Sequence, residues 1–237
     1  MKIFKTIPAA IITALLIIAS CQKDDTILYY STSIGNIQNG IFISDQGNVL
    51  NMTNISVSKE FEGIERAVII CDMLKQDESA SKEYDVRLLN WSKVLVKDAI
   101  TPEQTAHGEN SIQDPIFIKD AWCSGGYLNL MLQYYASYGS TQSHLVNLVY
   151  EGCEDGEYRF NFRHNSFGDI YTGSQNGFAL PSGYVSFPVA SIIPEEKAKI
   201  TIGWKSYQTM PDGTFTTSII NRTVTFDYER NTFIQEN

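Results

Sequence analysis

The chain has 237 residues, 43% apolar, 12% aromatic and 19% charged, with 27 acidic against 18 basic side chains. That apolar share is ordinary for a folded protein, which excludes disorder and low complexity as an overall description, and the length allows one or two cores. A net charge of −9 argues against a nucleic-acid partner, because phosphate binding depends on Lys and Arg neutralising the backbone.

Residues 1–20 read as a lipoprotein signal peptide. Lys2 and Lys5 precede an apolar run from Ile7 to Ile18. The run is shorter than the about 20 residues a membrane-spanning helix needs and matches a signal-peptide core instead. Ile18-Ala19-Ser20-Cys21 resembles the bacterial lipobox, which implies lipidation of Cys21 and a membrane anchor of acyl chains. Residues 21–26 form the tether. Within it, Gln22-Lys23-Asp24-Asp25 resembles an acidic surface-export signal of Gram-negative lipoproteins. The expected address is therefore the outer membrane, on the cell surface, with the periplasmic face as the alternative. Asp25-Thr26-Ile27 also fits a bacterial O-glycosylation tripeptide. The 217 residues left after removal of the signal carry a net charge of −11, since the removed piece holds two lysines and no acid. Anionic headgroups repel such a body, so the anchor must hold it.

Strand signals dominate from there on. Tyr29 to Ile43 reads as two short strands around Gly35-Asn36, followed by a turn at Asp45–Asn48 and a strand at Val49–Met52. Glu65 to Leu74 is an apolar run suited to a buried strand, Lys75 to Glu83 a polar loop, and Tyr84–Leu89 and Val94–Val96 two further strands. Residues 27–100 thus read as a small β-barrel. Residues 101–114 are polar, with Pro102, Gly108 and Pro115 near their ends, and read as an interdomain linker.

Residues 115–237 read as a β-sandwich. Strands are expected at Ile116–Cys123, Tyr127–Tyr135, His144–Tyr150, Tyr158–Arg163, Tyr184–Val189, Lys199–Tyr207 and Phe215–Tyr228. The second and third read as a hairpin across Ser137–Thr141. Tyr158, Phe160 and Phe162 alternate with Arg159, Asn161 and Arg163, the mark of a half-buried strand. Pro211-Asp212-Gly213 reads as the last turn.

The lipobox, ERAVIICDML and YDVRLLNWSKVLVKDAI in the first half, and DPIFIKDAWCSGGYLNLMLQYY, HLVNLVY and YRFNFRHNSFGD in the second, resemble the NigD-like lipoproteins. The resemblance implies an N-terminal OB-like barrel and a C-terminal β-sandwich, an all-β chain that agrees with the strand count. It carries over no catalytic residue, and its bacteriocin-locus association is genetic context rather than mechanism.

The chemistry-bearing residues are sparse. His107, His144 and His164 are far apart in sequence, with no H-E-x-x-H or C-x-x-C, so neither a metal nor a cofactor is expected. There is no G-x-S-x-G elbow and no phosphate loop. His164-Asn165-Ser166-Phe167-Gly168-Asp169 gathers His, Ser and Asp but reads as a turn after a strand. Cys71 sits in an apolar run and reads as a buried hydrophobe. If the Tyr127–Tyr150 hairpin forms, Cys123 and Cys153 fall near its open end, where a disulfide between them is a candidate. Tyr134, Tyr135 and Tyr138 cluster at the other end and are candidate ligand-facing aromatics, with core packing the competing role; Trp122 reads as a core anchor. The chain reads as a non-enzymatic binding or interaction module with a glycan or another envelope protein as partner. The alternatives are an immunity-like protective lipoprotein and a hydrolase working through carboxylates.

Overall fold

The computed structural model describes residues 27–74, 82–171, 173, 177–210 and 215–230. The signal segment, Cys21, the tether up to residue 26, most of the Lys75–Glu83 loop and the Pro211-Asp212-Gly213 turn lie outside them. Among the described residues no helix is long and apolar enough to cross a membrane.

The first half is a closed five-stranded barrel. Its strands are β1 (Ile27–Gln38), β2 (Ile41–Ser44), β3 (Val49–Met52), β4 (Arg66–Leu74) and β5 (Glu83–Val96), with a one-turn helix α1 (Val57–Glu60) between β3 and β4. Going round, β1 pairs with β2, β2 with β3, β3 in parallel with β5, β5 with β4, and β4 with β1. That closure is of the OB type. Phe42, Leu50, Phe61, Ile69, Cys71 and Val86 fill the interior.

Two details depart from the sequence reading. Gly35-Asn36 is no turn: β1 runs through it unbroken, because a side chain at Gly35 would lie 2.2 Å from the Ile43 carbonyl oxygen, and glycine lets β2 come close. The reversal falls at Asn39-Gly40, both at positive φ (51° and 77°), the geometry of a two-residue hairpin turn. Likewise the strands expected at Tyr84–Leu89 and Val94–Val96 are one, joined through a bulge that leaves Leu89 between Leu88, opposite Cys71, and Asn90, opposite Ile70.

The second half contains β6 (Phe117–Ser124), β7 (Tyr127–Gln133), β8 (Ala136–Ser137), β9 (Leu145–Glu154), β10 (Glu157–Asn165), β11 (Phe178–Ala179), β12 (Ser182–Pro188), β13 (Lys197–Thr209) and β14 (Phe215–Glu229). One sheet carries β12-β7-β6, the other β14-β13-β10-β9, and β8 pairs with β11. Leu128, Leu130 and Leu132 face Phe160, Phe162, Ile200 and Ile202 in the core between them. The expected hairpin between β7 and β9 does not form. Tight turns win locally: Gly125-Gly126 folds β7 onto β6, and Asp155-Gly156 folds β10 onto β9, all four at positive φ. Cys123 therefore lies in one sheet and Cys153 in the other. Both are free thiols, which corrects the disulfide expected between them. Burial pushes the thiols of Cys71 and Cys123 up, to about 11 and about 12.

Barrel and sandwich share a sheet. The last residues of β5, Val94–Val96, pair in parallel with Tyr184–Ser186 of β12. The chain then crosses to the other sheet through Ile100, which bridges Val149. Residues 101–114 lie against the sandwich in two 3-10 turns, tied by Asn147 Nδ2 to Asn110 Oδ1 (2.9 Å) and Asn165 Nδ2 to the Glu109 carbonyl (3.2 Å).

The junction has an apolar and a polar part. Ile34, Val68 and Val94 pack with Trp122 and Tyr184, so β4 is apolar on both faces near its start: Ala67, Ile69, Cys71 and Met73 face the barrel interior and Val68 the junction. Beside them Arg66 is fully buried. Its five N–H groups reach Ser186 Oγ, Asn36 Oδ1, both oxygens of Asp45 and Asn129 Oδ1, at 2.6 to 3.0 Å. Ser124 Oγ donates to the same carboxylate, and the Tyr127 ring lies 4.1 Å under the guanidinium carbon.

Candidate interaction end of the sandwich

At the end of the sandwich opposite the Gly125-Gly126 turn, residues 134–144, the described residues between 166 and 181, and the adjoining ends of β13 and β14 come together. The first two are laced together by the β8–β11 pair, by Tyr138 N donating to the Gly177 carbonyl (2.8 Å) and by Tyr134 N donating to the Pro181 carbonyl (3.2 Å). The barrel stands between Ile27 and the junction, since it is Asn36, near the other end of β1, that touches Arg66. From Asn129, at the polar junction, β7 runs on through Gln133 to these loops.

Beneath the loops lie two rigid clusters. In the first, Tyr135 stacks on Tyr171 with ring centroids 4.3 Å apart, and Tyr207 stands edge-on to both. Phe117, Phe178 and Leu180 complete it. The Tyr207 hydroxyl accepts from the Tyr171 backbone N–H at 2.9 Å, and burial pushes the Tyr135 hydroxyl up to about 12.

The second cluster is polar. His144 Nδ1 lies 2.9 Å from His164 Nε2, and His164 Nδ1 lies 3.3 Å from the Pro115 carbonyl oxygen. A carbonyl only accepts, so His164 carries its proton on Nδ1 and its Nε2 accepts from His144 Nδ1–H. The other nitrogen of His144 faces Asp169 Oδ2 at 3.5 Å. Burial first, and then His144, hold His164 down at about 4, against the opposing pull of Asp114 and Pro115. Burial raises Asp169, but its Ser137 donors and His144 outweigh that and hold it below the usual carboxylate range. Asp114 caps the neighbouring turn by accepting from the Ser166 N–H and hydroxyl at 2.9 and 2.6 Å.

This arrangement fastens loops; it does not activate a nucleophile. Ser137 Oγ donates directly to Asp169, and Ser166 Oγ to Asp114. A catalytic serine needs a base on its hydroxyl with a carboxylate behind that base, whereas here each carboxylate holds the serine itself. Among the described residues no three His, Cys, Asp or Glu side chains are grouped to hold a metal ion.

Large apolar side chains are exposed here beside the polar residues 140–143. Tyr138 is 72% exposed, and Phe167, Ile170, Met210 and Ile219 are also exposed, all on these connections or the first residues of β14. Phe167 sits at φ 54°, a conformation that bulky side chains rarely adopt, held by its N–H donating to Asn165 Oδ1 at 2.8 Å.

Of the three tyrosines expected to face a ligand, only Tyr138 faces out. Tyr134 is half-buried against His144, and Tyr135 is a core residue, which corrects its assignment. Exposed Phe167, Ile170 and Ile219 escaped the sequence reading, which carries no signal for them. The His144–His164 pair was legible in principle: the Asp155-Gly156 turn sets a β9–β10 register that brings the two strand ends together.

A family model described as the NigD-like C-terminal beta sandwich domain matches residues 99–217. No curated protein matches the sequence. Solved structures resemble it along most of its length. A NigD-like immunity protein from Bacteroides caccae is 16% identical, with a TM-score of 0.56, covering 88% of this chain and all of its own. A candidate lipoprotein from Bacteroides fragilis is 15% identical, with a TM-score of 0.60, covering 85% of this chain and 99% of its own. A protein of unknown function from Bacteroides vulgatus is 20% identical, with a TM-score of 0.57, covering 86% and 93%. At these identities the likeness concerns the fold.

Proposed function

Because the chain belongs to the NigD-like β-sandwich family, we propose that it is a lipid-anchored envelope protein that binds a partner through the loop end of its sandwich. The observation that carries this is the exposed set Tyr138, Phe167, Ile170, Met210 and Ile219 over a rigid aromatic and histidine base. Exposed aromatic and aliphatic side chains on a fixed platform are what a protein interface or a sugar face uses. The strained backbone at Phe167 supports the same reading, because holding a bulky residue there costs about 1–3 kcal/mol that packing of its ring does not explain. The partner is a glycan or another envelope protein. The acidic surface works against nucleic acid, and the reading is non-enzymatic.

The anchor is Cys21, and the address is the outer membrane with the body outside the cell. A lipoprotein of similar fold supports the anchor. Replacing Cys21 by Ala should move the protein out of the membrane fraction, and protease treatment of intact cells separates the outer surface from the periplasmic face.

The deciding experiment is capture from crosslinked cells with the wild type and with Tyr138→Ala/Ile219→Ser. A partner held by the first and lost by the second supports the reading; identical partners overturn it. Protection against a bacteriocin is the second reading, favoured by the immunity protein among the structural neighbours. Unchanged bacteriocin sensitivity in a deletion strain counts against it.

A further inference from the structure

Each sheet of the sandwich ends in an edge strand on the same side, β6 in one and β14 in the other. Between them runs a groove of about 480 Å³. Its apolar wall is Phe117 and Trp204, and its charged lining is Lys119 and Arg222. No Asp or Glu lines it, although acids outnumber bases 27 to 18 along the chain. Arg222 stands directly opposite Trp204 in the β13–β14 ladder, so the two side chains leave the sheet on the same face. Lys119 is the extra residue of a bulge in β6, between Ile118, opposite Leu132, and Asp120, opposite Met131. Among the described residues neither cation has an ion-pair partner, whereas Arg66, Arg87, Arg159 and Lys197 all do.

We propose that this groove takes an extended acidic peptide segment of a partner protein, added as a strand along the free edge of β6 with carboxylates on Lys119 and Arg222. The proposal rests on the binding-module reading above and names its partner class. Charge selects the occupant: Lys119 and Arg222 are the charged residues lining the groove, while Asp120, next to Lys119, is outside the lining and accepts from the Ala121 N–H, so the groove itself is a local positive site on an acidic protein. The edge selects its shape. Half of the main-chain N–H and C=O groups of β6 point away from β7, and an extended peptide is the ligand that uses them while placing alternate side chains in the groove.

The test is titration of the full chain, in detergent, with a capped peptide alternating Glu and Val, a control with Lys for Glu, and polygalacturonate. The acidic peptide should bind, the Lys peptide should not, and Lys119→Glu/Arg222→Glu should weaken binding at least about tenfold. Slowed amide exchange confined to β6 would accompany binding. Arg222→Gln, which only neutralises, should give an intermediate loss and serves as a second variant. If neither peptide binds, Lys119 and its bulge only guard an edge against pairing, and the proposal falls. It also falls if polygalacturonate binds in place of the peptide, or if the charge-reversed variant merely abolishes self-association. A cellular partner lost with Tyr138→Ala/Ile219→Ser but kept with Lys119→Glu/Arg222→Glu would overturn the groove and leave the loop-end reading standing.

Discussion

Arg66 and Asp45 meet through two hydrogen bonds of 2.8 and 2.6 Å, and neither side chain reaches solvent. The pair lies where barrel and sandwich join, with Asn36 contributed by the barrel and Ser124, Asn129 and Ser186 by the sandwich. It fixes how the loop end stands relative to Ile27. A buried guanidinium left without its carboxylate is costly, so Asp45→Ala should destabilise the protein by about 3–5 kcal/mol in urea unfolding. Amides across the junction, such as Lys97 with its bond to the Ser186 carbonyl, should exchange faster. Gly125→Ala should act on the same cluster, because the added carbon would lie 2.7 Å from Asp45 Oδ1 at a φ of +56°. A wild-type midpoint in Asp45→Ala would show that the shared sheet alone holds the junction.

Much of the fold was legible because period and turn chemistry are local. The alternation of Tyr158, Phe160 and Phe162 marked β10, and ERAVIICDML marked β4. What was misread depended on which turns compete. Gly35 looks like a turn residue in sequence, yet it is glycine because a neighbouring strand passes 2.2 Å from where a Cβ would be. The β7–β9 hairpin looked plausible until Gly125-Gly126 and Asp155-Gly156 claimed both strands. The polar junction was invisible: nothing in the sequence singles out Asn36, Asp45, Ser124, Asn129 and Ser186, and only the tertiary fold brings them round one arginine. The histidine pair was missed for a different reason: it rests on the local β9–β10 register, which the expected β7–β9 hairpin displaced.

The aromatic residues at the loop end separate into supports and contacts. Tyr135→Ala should cost about 3–5 kcal/mol, since it empties a site stacked on Tyr171 and edge-packed on Tyr207. Tyr138→Ala should change stability by less than about 0.5 kcal/mol, because the side chain is 72% exposed. Denaturant midpoints measured side by side check this. A large loss in Tyr138→Ala would mean that its ring braces the loop, and the binding role assigned to it would then need another residue.

The thiols should be separable by access. Cys153 is exposed, while Cys71 is fully buried and Cys123 is partly buried with its thiol pushed up to about 12. Thiolate is the reactive form, so of the three described cysteines a brief alkylation of the native protein should label Cys153 alone, and denaturation should add Cys71 and Cys123. Mass spectrometry of the two samples, without reductant, gives the answer. Failure to label Cys153 before reduction would restore the bridge that the two-sheet arrangement argues against.

Stability should fall as the pH drops from about 6.5 to about 4, in a window set by His164. Its folded value is about 4 against an ordinary 6.5, because burial and the neighbouring His144 disfavour its charged form, with Asp114 and the Pro115 carbonyl pulling the other way. The unfolded chain therefore takes a proton through this window that the folded chain refuses. The contribution is fully present above 6.5, is lost progressively down to 4, and changes no further below that. At pH 4.5 the loss amounts to roughly 2–3 kcal/mol relative to neutral pH. Asp169, held low by Ser137 and His144, adds a separate loss once the pH falls below the ordinary carboxylate range. His164→Gln removes the first component and leaves the second. Urea unfolding at pH 7 and 4.5 should thus show the variant less stable than wild type at pH 7 but losing about 2–3 kcal/mol less on acidification. Parallel losses in the two proteins would mean that His164 accepts its proton in the folded state, with the Asp169–His144–His164 chain reorganising to admit it.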